Sequence, residues 1–495
     1  MKLKELLADI EIISCTGDEL TEITSVAYDS RKVVQGALFV CVRGFQSDGH
    51  TFISNAIEKG AAAVVVEEEP AFPVEAAVIL VPDTRSALAH ISAAWFHYPA
   101  RQMTVMGLTG TKGKTTTAVM IRKILEEAGH KTGMIGTLGA YIGDRKLEFD
   151  KNTPTTPEAY ELHALFAEML REGCEYVVME VSSQALKQKR TEGITFAYGA
   201  FLNISPDHIG KGEHENFEEY LACKKLLFLQ TKETVVNIDD PRWREATEYA
   251  QKRTTVSISR EADFMGTEIQ NLWEPGLLGA RFQVSGRMQG EVVLNMPGRF
   301  NVEDALVAIA MTALAGVAPS GIISGLKEVK VKGRMQVLRG VSEYTTFLID
   351  YAHNALSMEC LLQTLRDYRP KRLICLFGGG GNRPRQRRLD MGRIAGKYAD
   401  LTIITMDNPR DEPMEQINQD IMEGLKVYGG AYQVITDREE AIKYLIDNCA
   451  DGDIVALIGK GHEEYQEIKG VKYHFSEEEI VAKYVGMAQG RQAEK

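Results

Sequence analysis

The chain is short of the features that mark several specialised classes of protein. Its seven cysteines (Cys15, Cys41, Cys174, Cys223, Cys360, Cys375 and Cys449) are odd in number and scattered, with no C-x-x-C pair. Neither a disulfide framework nor a thiolate metal site follows from such spacing. No run approaches the roughly 20 apolar residues of a membrane span. Met1 to Ile10 is amphipathic and mixed in charge, without the apolar core of a signal segment. A cytoplasmic protein with no membrane partner is therefore expected. A basic excess is also missing, since the formal net charge is −12. An acidic chain sets up no field that draws in a phosphate backbone, which speaks against nucleic acid as a partner. Basic groups that meet an anionic ligand must then be concentrated locally. Repeats and low-complexity linkers are lacking too.

What is present is ordinary for a protein with a full core: 44% hydrophobic and 25% charged residues. Domains usually run to about 150 residues, so 495 residues suggest three. The first, 1–101, has strand candidates Ala37–Val42 and Ala62–Val66 and a helical stretch Thr84–Trp95. It ends at Tyr98-Pro99-Ala100-Arg101, where Pro99 disfavours helix for the residue before it. The second, 102–333, opens with the apolar strand Met103–Leu108 and continues with Tyr176–Glu180, Ala200–Ile204 and Thr234–Ile238. The third, 334–495, repeats the pattern with Phe347–Tyr351, Leu373–Phe377, Leu401–Thr405 and Ile454–Ile458. Strands alternating with helices imply mostly parallel sheets covered on both faces, an α/β fold. Ligands of such sheets bind beyond the carboxyl ends of the strands. In the third region those ends carry the turns Tyr351–Asn354, Gly378–Asn382, Asp407–Arg410 and Gly459–Glu463.

The strand Met103–Leu108 runs into Thr109-Gly110-Thr111-Lys112-Gly113-Lys114-Thr115-Thr116-Thr117, after which Ala118, Ile121 and Leu125 recur at helical spacing. Strand, Gly-x-x-Gly-Lys-Thr and helix together cradle nucleotide phosphates. Glycines admit the oxygens to the backbone amides, Lys114 neutralises charge, and the Thr115 hydroxyl can reach Mg²⁺. ATP binding is the expectation, although the generic spacing has a glycine where this chain has Leu108. Glu180 ends an apolar strand, a place from which a carboxylate can hold Mg²⁺. Asp207-His208 follows another strand, although imidazole is not the preferred ligand of that ion.

Taken in order, these segments resemble the Mur ligases over essentially the whole chain. Residues 109–117 look like the family's ATP loop. Met179-Glu180-Val181-Ser182-Ser183, with Gln188 and Arg190, is similar to its segment for magnesium and the UDP-muramoyl peptide. Asn203-Ile204-Ser205-Pro206-Asp207-His208 is similar to its metal-binding histidine segment. Gly298-Arg299-Phe300-Asn301, Gly333-Arg334-Met335 and Asp350-Tyr351-Ala352-His353-Asn354 resemble its nucleotide-contacting stretches. The resemblance implies a small N-terminal UDP-binding domain, a central ATPase domain with a parallel sheet, and a C-terminal Rossmann-like domain. It implies nucleotide contacts from Gly110 to Thr116, and from Asn301, Arg334, Asp350 and His353. Two Mg²⁺ ions are implied, one at Thr115 and Glu180 and the other at His208 and Lys224. Lys224 aligns with a lysine that CO₂ carbamylates, with Lys225 next door leaving the register open.

Members of this family differ in the amino acid they add. Tyr28-Asp29-Ser30-Arg31 with Phe45-Gln46-Ser47 resembles the uridine module of the enzyme that adds the third residue, and Thr155-Thr156 its substrate threonines; Asn152 and Pro154 depart from some relatives. Asp407-Asn408-Pro409-Arg410 is associated in the family with meso-diaminopimelate. That amino acid is lysine with an extra carboxylate, which a guanidinium can clamp through two hydrogen bonds. Arg383 aligns with a second such arginine, and Gly459 and Glu463 with the positions at the distal end. The expected partners are ATP, UDP-MurNAc-L-Ala-D-Glu and diaminopimelate, with a monomeric enzyme. The stretch 209–215 resembles lysine-adding members, so lysine remains the alternative, followed by a folylpolyglutamate synthase and a non-catalytic descendant.

Overall fold

The computed structural model describes residues 1–44, 47–207, 209–210, 213–327, 329–339, 342 and 344–493. Two compact units result, Met1–Met265 with Leu306–Ile322 and Gly266–Ala305 with Ile323–Lys495. In the first, a five-stranded sheet runs Ser14–Thr16, Ala77–Leu80, Ala63–Val66, Ala37–Val40, Ser25–Ala27, parallel except for Ser14–Thr16. Its inner strands are apolar throughout because both faces are covered. Leu38, Val40, Ala63 and Val65 pack with Leu88 and Ile91 of the helix Thr84–Trp95. Phe39, Val64 and Val66 face Ile53 and Ala56 on the other side. Asp83 starts that helix by accepting from the amides of Arg85 and Ser86.

The larger sheet of this unit places Arg253–Ser257, Thr231–Asn237, Phe196–Phe201, Thr104–Thr109, Tyr176–Glu180 and Thr132–Gly136 side by side, all parallel. Gly139–Ile142 and Arg145–Leu147 extend it antiparallel. From Thr104–Thr109 the chain first fills the flank with Thr132–Gly136 and Tyr176–Glu180, then crosses to Phe196–Phe201 and Thr231–Asn237. Such a reversal beside one strand opens a crevice at the carboxyl ends. Several strand boundaries shift from expectation, and two of the shifts bear on the phosphate loop. The first strand is Thr104–Thr109, so Leu108 is a fully buried sheet residue whose carbonyl accepts from Val181 N at 2.8 Å. The loop therefore starts at Gly110, and a glycine at 108 has no task. Phe196–Phe201 ends earlier than the expected Ala200–Ile204, which frees Asn203 to serve the loop.

The second unit holds a six-stranded sheet ordered Gln336–Arg339, Thr346–Asp350, Asp453–Ile458, Arg372–Phe377, Leu401–Ile404, Tyr432–Val434. Only Gln336–Arg339 is antiparallel to its neighbour. Phe347, Ile349, Ile374, Leu376, Val455 and Leu457 build one buried face with Ile442 and Leu445 of the helix Arg438–Asn448. A hairpin of Tyr465–Ile468 and Val471–His474 follows the last inner strand. Among the described residues, no helix is long and apolar enough to cross a membrane.

Candidate active site

Asn203 straps the phosphate loop. Its Oδ1 accepts from Lys112 N at 2.9 Å, its Nδ2 donates to Lys112 O at 3.2 Å, and its carbonyl accepts from Thr111 N at 3.0 Å. Gly113, at φ +86°, turns the chain through the left-handed region into the helix Lys114–Glu127, where Thr115 and Thr116 are buried. The first amides of that helix, with no carbonyl partners of their own, favour an anion. Lys114 Nζ folds back over the loop, donating to Gly110 O at 2.7 Å and Thr111 O at 3.1 Å.

Lys224 closes the same place from the helix Phe217–Lys225. It is 1% exposed and donates to Gly110 O at 2.9 Å, with the Tyr220 ring 4.5 Å from its nitrogen. Burial, and then the charge of Lys114, hold its amine well below the usual lysine range. It is not a solvated helical lysine. His208 lies outside the described residues, as do Phe45 and Gln46.

Glu180 is 2% exposed at the end of its strand. Oε1 accepts from Thr115 Oγ1 at 2.9 Å and Thr137 N at 2.8 Å, and Oε2 from Thr137 Oγ1 at 3.1 Å. Gly136 makes the space, since a Cβ there would lie 2.2 Å from Oε1. Hydroxyl and carboxylate oxygens gathered this closely suit a hard divalent cation. Thr137 also reaches Thr155 Oγ1 at 3.2 Å, and Lys151 Nζ donates to its carbonyl at 2.5 Å. Gly136, Thr137 and Lys151 escaped the sequence reading. The one local signal was a Gly-Thr pair directly after an apolar run.

Thr156, Ser182, Gln188 and Arg190 form one cluster beside Glu180. Thr156 Oγ1 donates to Glu180 O at 2.9 Å and accepts from Ser182 N at 3.0 Å. Ser182 Oγ caps the helix Ser183–Lys187 by accepting from Ala185 N at 3.1 Å. Arg190 donates to Thr156 O at 3.1 Å and Gln188 Oε1 at 2.5 Å, and pairs with Glu158 at 2.8 Å. His214 Nε2 lies 2.8 Å from Ser183 Oγ, tying the loop after Asp207 to this turn. Ser30 and Ser47 stand apart, with main-chain carbonyls held by Lys59 Nζ and Gly44 N.

In the second unit, Asp350 organises the nucleotide stretches. Its Oδ2 accepts from Met335 N and its Oδ1 from Ala352 N, both at 2.8 Å. The Arg334 guanidinium lies 4.8 Å from the Tyr351 ring centre, and His353 Nδ1 is 3.0 Å from Tyr351 O. Asn301 is buried and donates to Pro297 O at 2.7 Å. Next to Tyr351 and His353 opens a pocket enclosing about 620 Å³, solvent included. Arg383, Asp407, Asn408, Arg410, Gly459 and Glu463 all line it, so the turns of four strand ends meet there. Lys460, unnamed by the sequence reading, is fully buried beneath: its Nζ lies 3.2 Å from Asn408 Oδ1, 3.3 Å from Glu463 Oε2 and 3.6 Å from Asp407 Oδ1. Asp407 Oδ1 is buried and accepts no hydrogen bond among the described residues. A ligand ammonium would satisfy it. Pro409 O accepts from Glu412 N at 3.0 Å, and Arg410 follows in a left-handed conformation, φ +49°. For a residue with a long side chain that backbone costs on the order of 1–2 kcal/mol.

A strapped phosphate loop, an oxygen cradle at Glu180 and a pocket of mixed charge define an ATP-dependent ligase. Residues 108–312 match the Mur ligase middle domain, 333–461 the Mur ligase glutamate ligase domain and 22–96 the Mur ligase family catalytic domain. A UDP-N-acetylmuramoyl-L-alanyl-D-glutamate–2,6-diaminopimelate ligase of Clostridium perfringens is 38% identical over 97% of this chain and 99% of its own length. The protein so named from Syntrophomonas wolfei is 39% identical over 97% and 98%. A solved structure of a ligase of that name aligns with a TM-score of 0.73 at 28% identity, covering 100% of this chain and 99% of the other. The chain belongs to the Mur ligase family and has its three-domain architecture.

Proposed function

We propose that this ligase joins meso-diaminopimelate to the D-glutamate γ-carboxylate of UDP-MurNAc-L-Ala-D-Glu in the synthesis of peptidoglycan precursors. The observation that carries the reading is Arg410 lining one pocket with Arg383, Asp407 and Glu463. Diaminopimelate has an ammonium and a carboxylate at each end, and paired arginines with acceptor carboxylates match it. Lysine lacks the second carboxylate and would forgo the charge-assisted bonds that the guanidinium offers it, which penalises lysine. The names of the relatives support the same choice, and the match at 22–96 counts against folylpolyglutamate addition.

In the reaction, an oxygen of the γ-carboxylate attacks the terminal phosphorus of ATP and the bond to ADP breaks, leaving an acyl phosphate. The diaminopimelate amine attacks the acyl carbon and loses a proton, and the tetrahedral intermediate expels phosphate. Lys114 and the loop amides offset charge on the transferred group. Thr115 and Glu180 would hold one Mg²⁺, and His208 with carbamylated Lys224 a second; bound magnesium would shield the phosphate charges. The neutral Lys224 amine is the form that can add CO₂, releasing a proton as the N–C bond forms. Thr155, Thr156, Ser182, Gln188 and Arg190 would position the muramoyl peptide, with Ser30, Phe45, Gln46 and Ser47 at the uridine. Gly110 to Thr116, Asn301, Arg334, Asp350 and His353 would hold the nucleotide, and Asn408, Pro409 and Gly459 would shape the amino-acid pocket. The reading assigns the three roles to 1–101, 102–333 and 334–495, in a cytoplasmic monomer.

Steady-state kinetics test it. ADP release with the UDP-dipeptide should depend on diaminopimelate, and Arg410→Lys should raise its KM at least about tenfold, the cost of losing one charge-assisted bond. ADP release indifferent to diaminopimelate would refute the reading.

A further inference from the structure

Arg410 is held by a residue that neither the sequence motifs nor the pocket lining singles out. Its Nη1 donates to Gly381 O at 2.9 Å, and its Nε lies 3.2 Å from Glu467 Oε2. Glu467 sits in the first strand of the hairpin Tyr465–Ile468 and Val471–His474. The main chain is joined at the same point. Arg410 N donates to Glu467 O at 3.1 Å, Lys469 N donates to Arg410 O at 2.9 Å, and Glu467 N donates to Asn408 Oδ1 at 2.9 Å. Asn408 Nδ2 in turn donates to Glu463 Oε2 at 2.9 Å. The hairpin is thus zipped along the Asp407–Arg410 turn, with one carboxylate directed at the arginine.

A guanidinium can grip a carboxylate by its Nε–Nη2 edge or by its Nη1–Nη2 end, each giving two parallel bonds. Glu467 Oε2 stands against the Nε side of the guanidinium and Gly381 O takes one Nη1 proton, so Nη2 and the second Nη1 proton remain to meet a substrate carboxylate. The pair is also only partly exposed, its side chains 23% and 25% accessible. With only the single Nη1 bond to Gly381 O, so long a side chain on a left-handed backbone residue would pivot about that contact and present its charge less firmly.

We infer that Glu467 is the positioning residue of the amino-acid site: it fixes which edge of Arg410 meets the substrate, and so sets the preference for an amino acid with a second carboxylate. This rests on the proposed function. It extends that reading by assigning part of the specificity to a carboxylate on the neighbouring hairpin. Glu467 acts through Arg410, so the binding of diaminopimelate should suffer and that of lysine, which has no carboxylate at that end, should not.

The test compares the full-length parent with Glu467→Gln and Glu467→Asp, measuring KM and kcat for meso-diaminopimelate and L-lysine at saturating ATP and UDP-dipeptide. The glutamine variant should raise the KM for diaminopimelate about tenfold, the effect of loosening one charge-assisted bond from Arg410 to the substrate, with a much smaller change in kcat. The preference for diaminopimelate over lysine, as a ratio of kcat/KM, should fall by a similar factor. The aspartate variant, which keeps the charge one methylene further away, should recover part of both. An unchanged KM in Glu467→Gln would overturn the inference. So would parallel losses for both amino acids, or an aspartate variant no better than glutamine, because these mark a merely structural residue. If the parent itself ignores diaminopimelate, the proposed function fails instead.

Discussion

Lys224 shows how far a single residue can depart from its sequence-level expectation. Written as Cys223-Lys224-Lys225, it looks like one of two solvated charges in the last turn of a helix. In the fold it is buried against Tyr220, bonded to Gly110 O and crowded by Lys114. A cation in that position is penalised by both burial and its neighbour, so the neutral amine is favoured. Carbamylation would convert that neutral amine into an anion beside the Lys114 cation, a favourable exchange. The enzyme should therefore lose activity in CO₂-stripped buffer and regain it when bicarbonate is added. Lys224→Arg should be roughly 100-fold slower, the scale of damage to a metal site, and indifferent to bicarbonate. Full activity in CO₂-free buffer would contradict carbamylation. Lys225, by contrast, pairs with Glu248 at 3.1 Å at the surface, which separates the two neighbours where sequence left their register open.

At the scale of elements, the strands were legible because both-face burial writes itself as apolar runs. Tyr176–Glu180 and the helix Thr84–Trp95 agree with expectation to the residue. What was illegible depends on which strand lies beside which. Gly136 and Thr137 are separated from Glu180 by more than 40 residues, and only parallel pairing of Thr132–Gly136 with Tyr176–Glu180 brings them together. Glu467 is hidden for the same reason, since its role depends on where the hairpin docks. Another buried group has a consequence for stability. In the helix Ala159–Arg171, His163 is 2% exposed, both ring nitrogens lack hydrogen-bond partners among the described residues, and the nearest ring partner is Phe166. Burial pulls its pKa down to about 4. The unfolded chain takes up this proton near pH 6.5 and the folded chain does not. Stability from this group is therefore complete above about pH 6.5 and declines as pH falls towards 4, by about 2 kcal/mol at pH 5. Urea unfolding at pH 7.5 and pH 5 should show that much less pH dependence in His163→Leu than in the parent. Equal pH dependence would mean the ring is protonated without penalty.

Over the whole molecule, the family was readable from ordered motifs, and the phosphate loop, Glu180, Asp350 and Arg410 stand at or beyond the ends of strands. The amino-acid pocket was legible as a set of turns but not as a charge network. Lys460 sits between Gly459 and Gly461 in sequence and looks like a loop cation, yet it is fully buried and joins Asp407, Asn408 and Glu463. Burial of that kind is a tertiary property, invisible in a motif. The central claim concerns what this pocket selects. The most direct measurement is a competition: the enzyme with ATP, UDP-MurNAc-L-Ala-D-Glu and equimolar meso-diaminopimelate and L-lysine, with both nucleotide-linked products weighed by mass spectrometry. Two charge-assisted bonds to the second carboxylate, absent with lysine, contribute roughly 3 kcal/mol, so the diaminopimelate product should exceed the lysine product by at least about 100-fold. Comparable amounts of the two products, or an excess of the lysine product, would contradict the account.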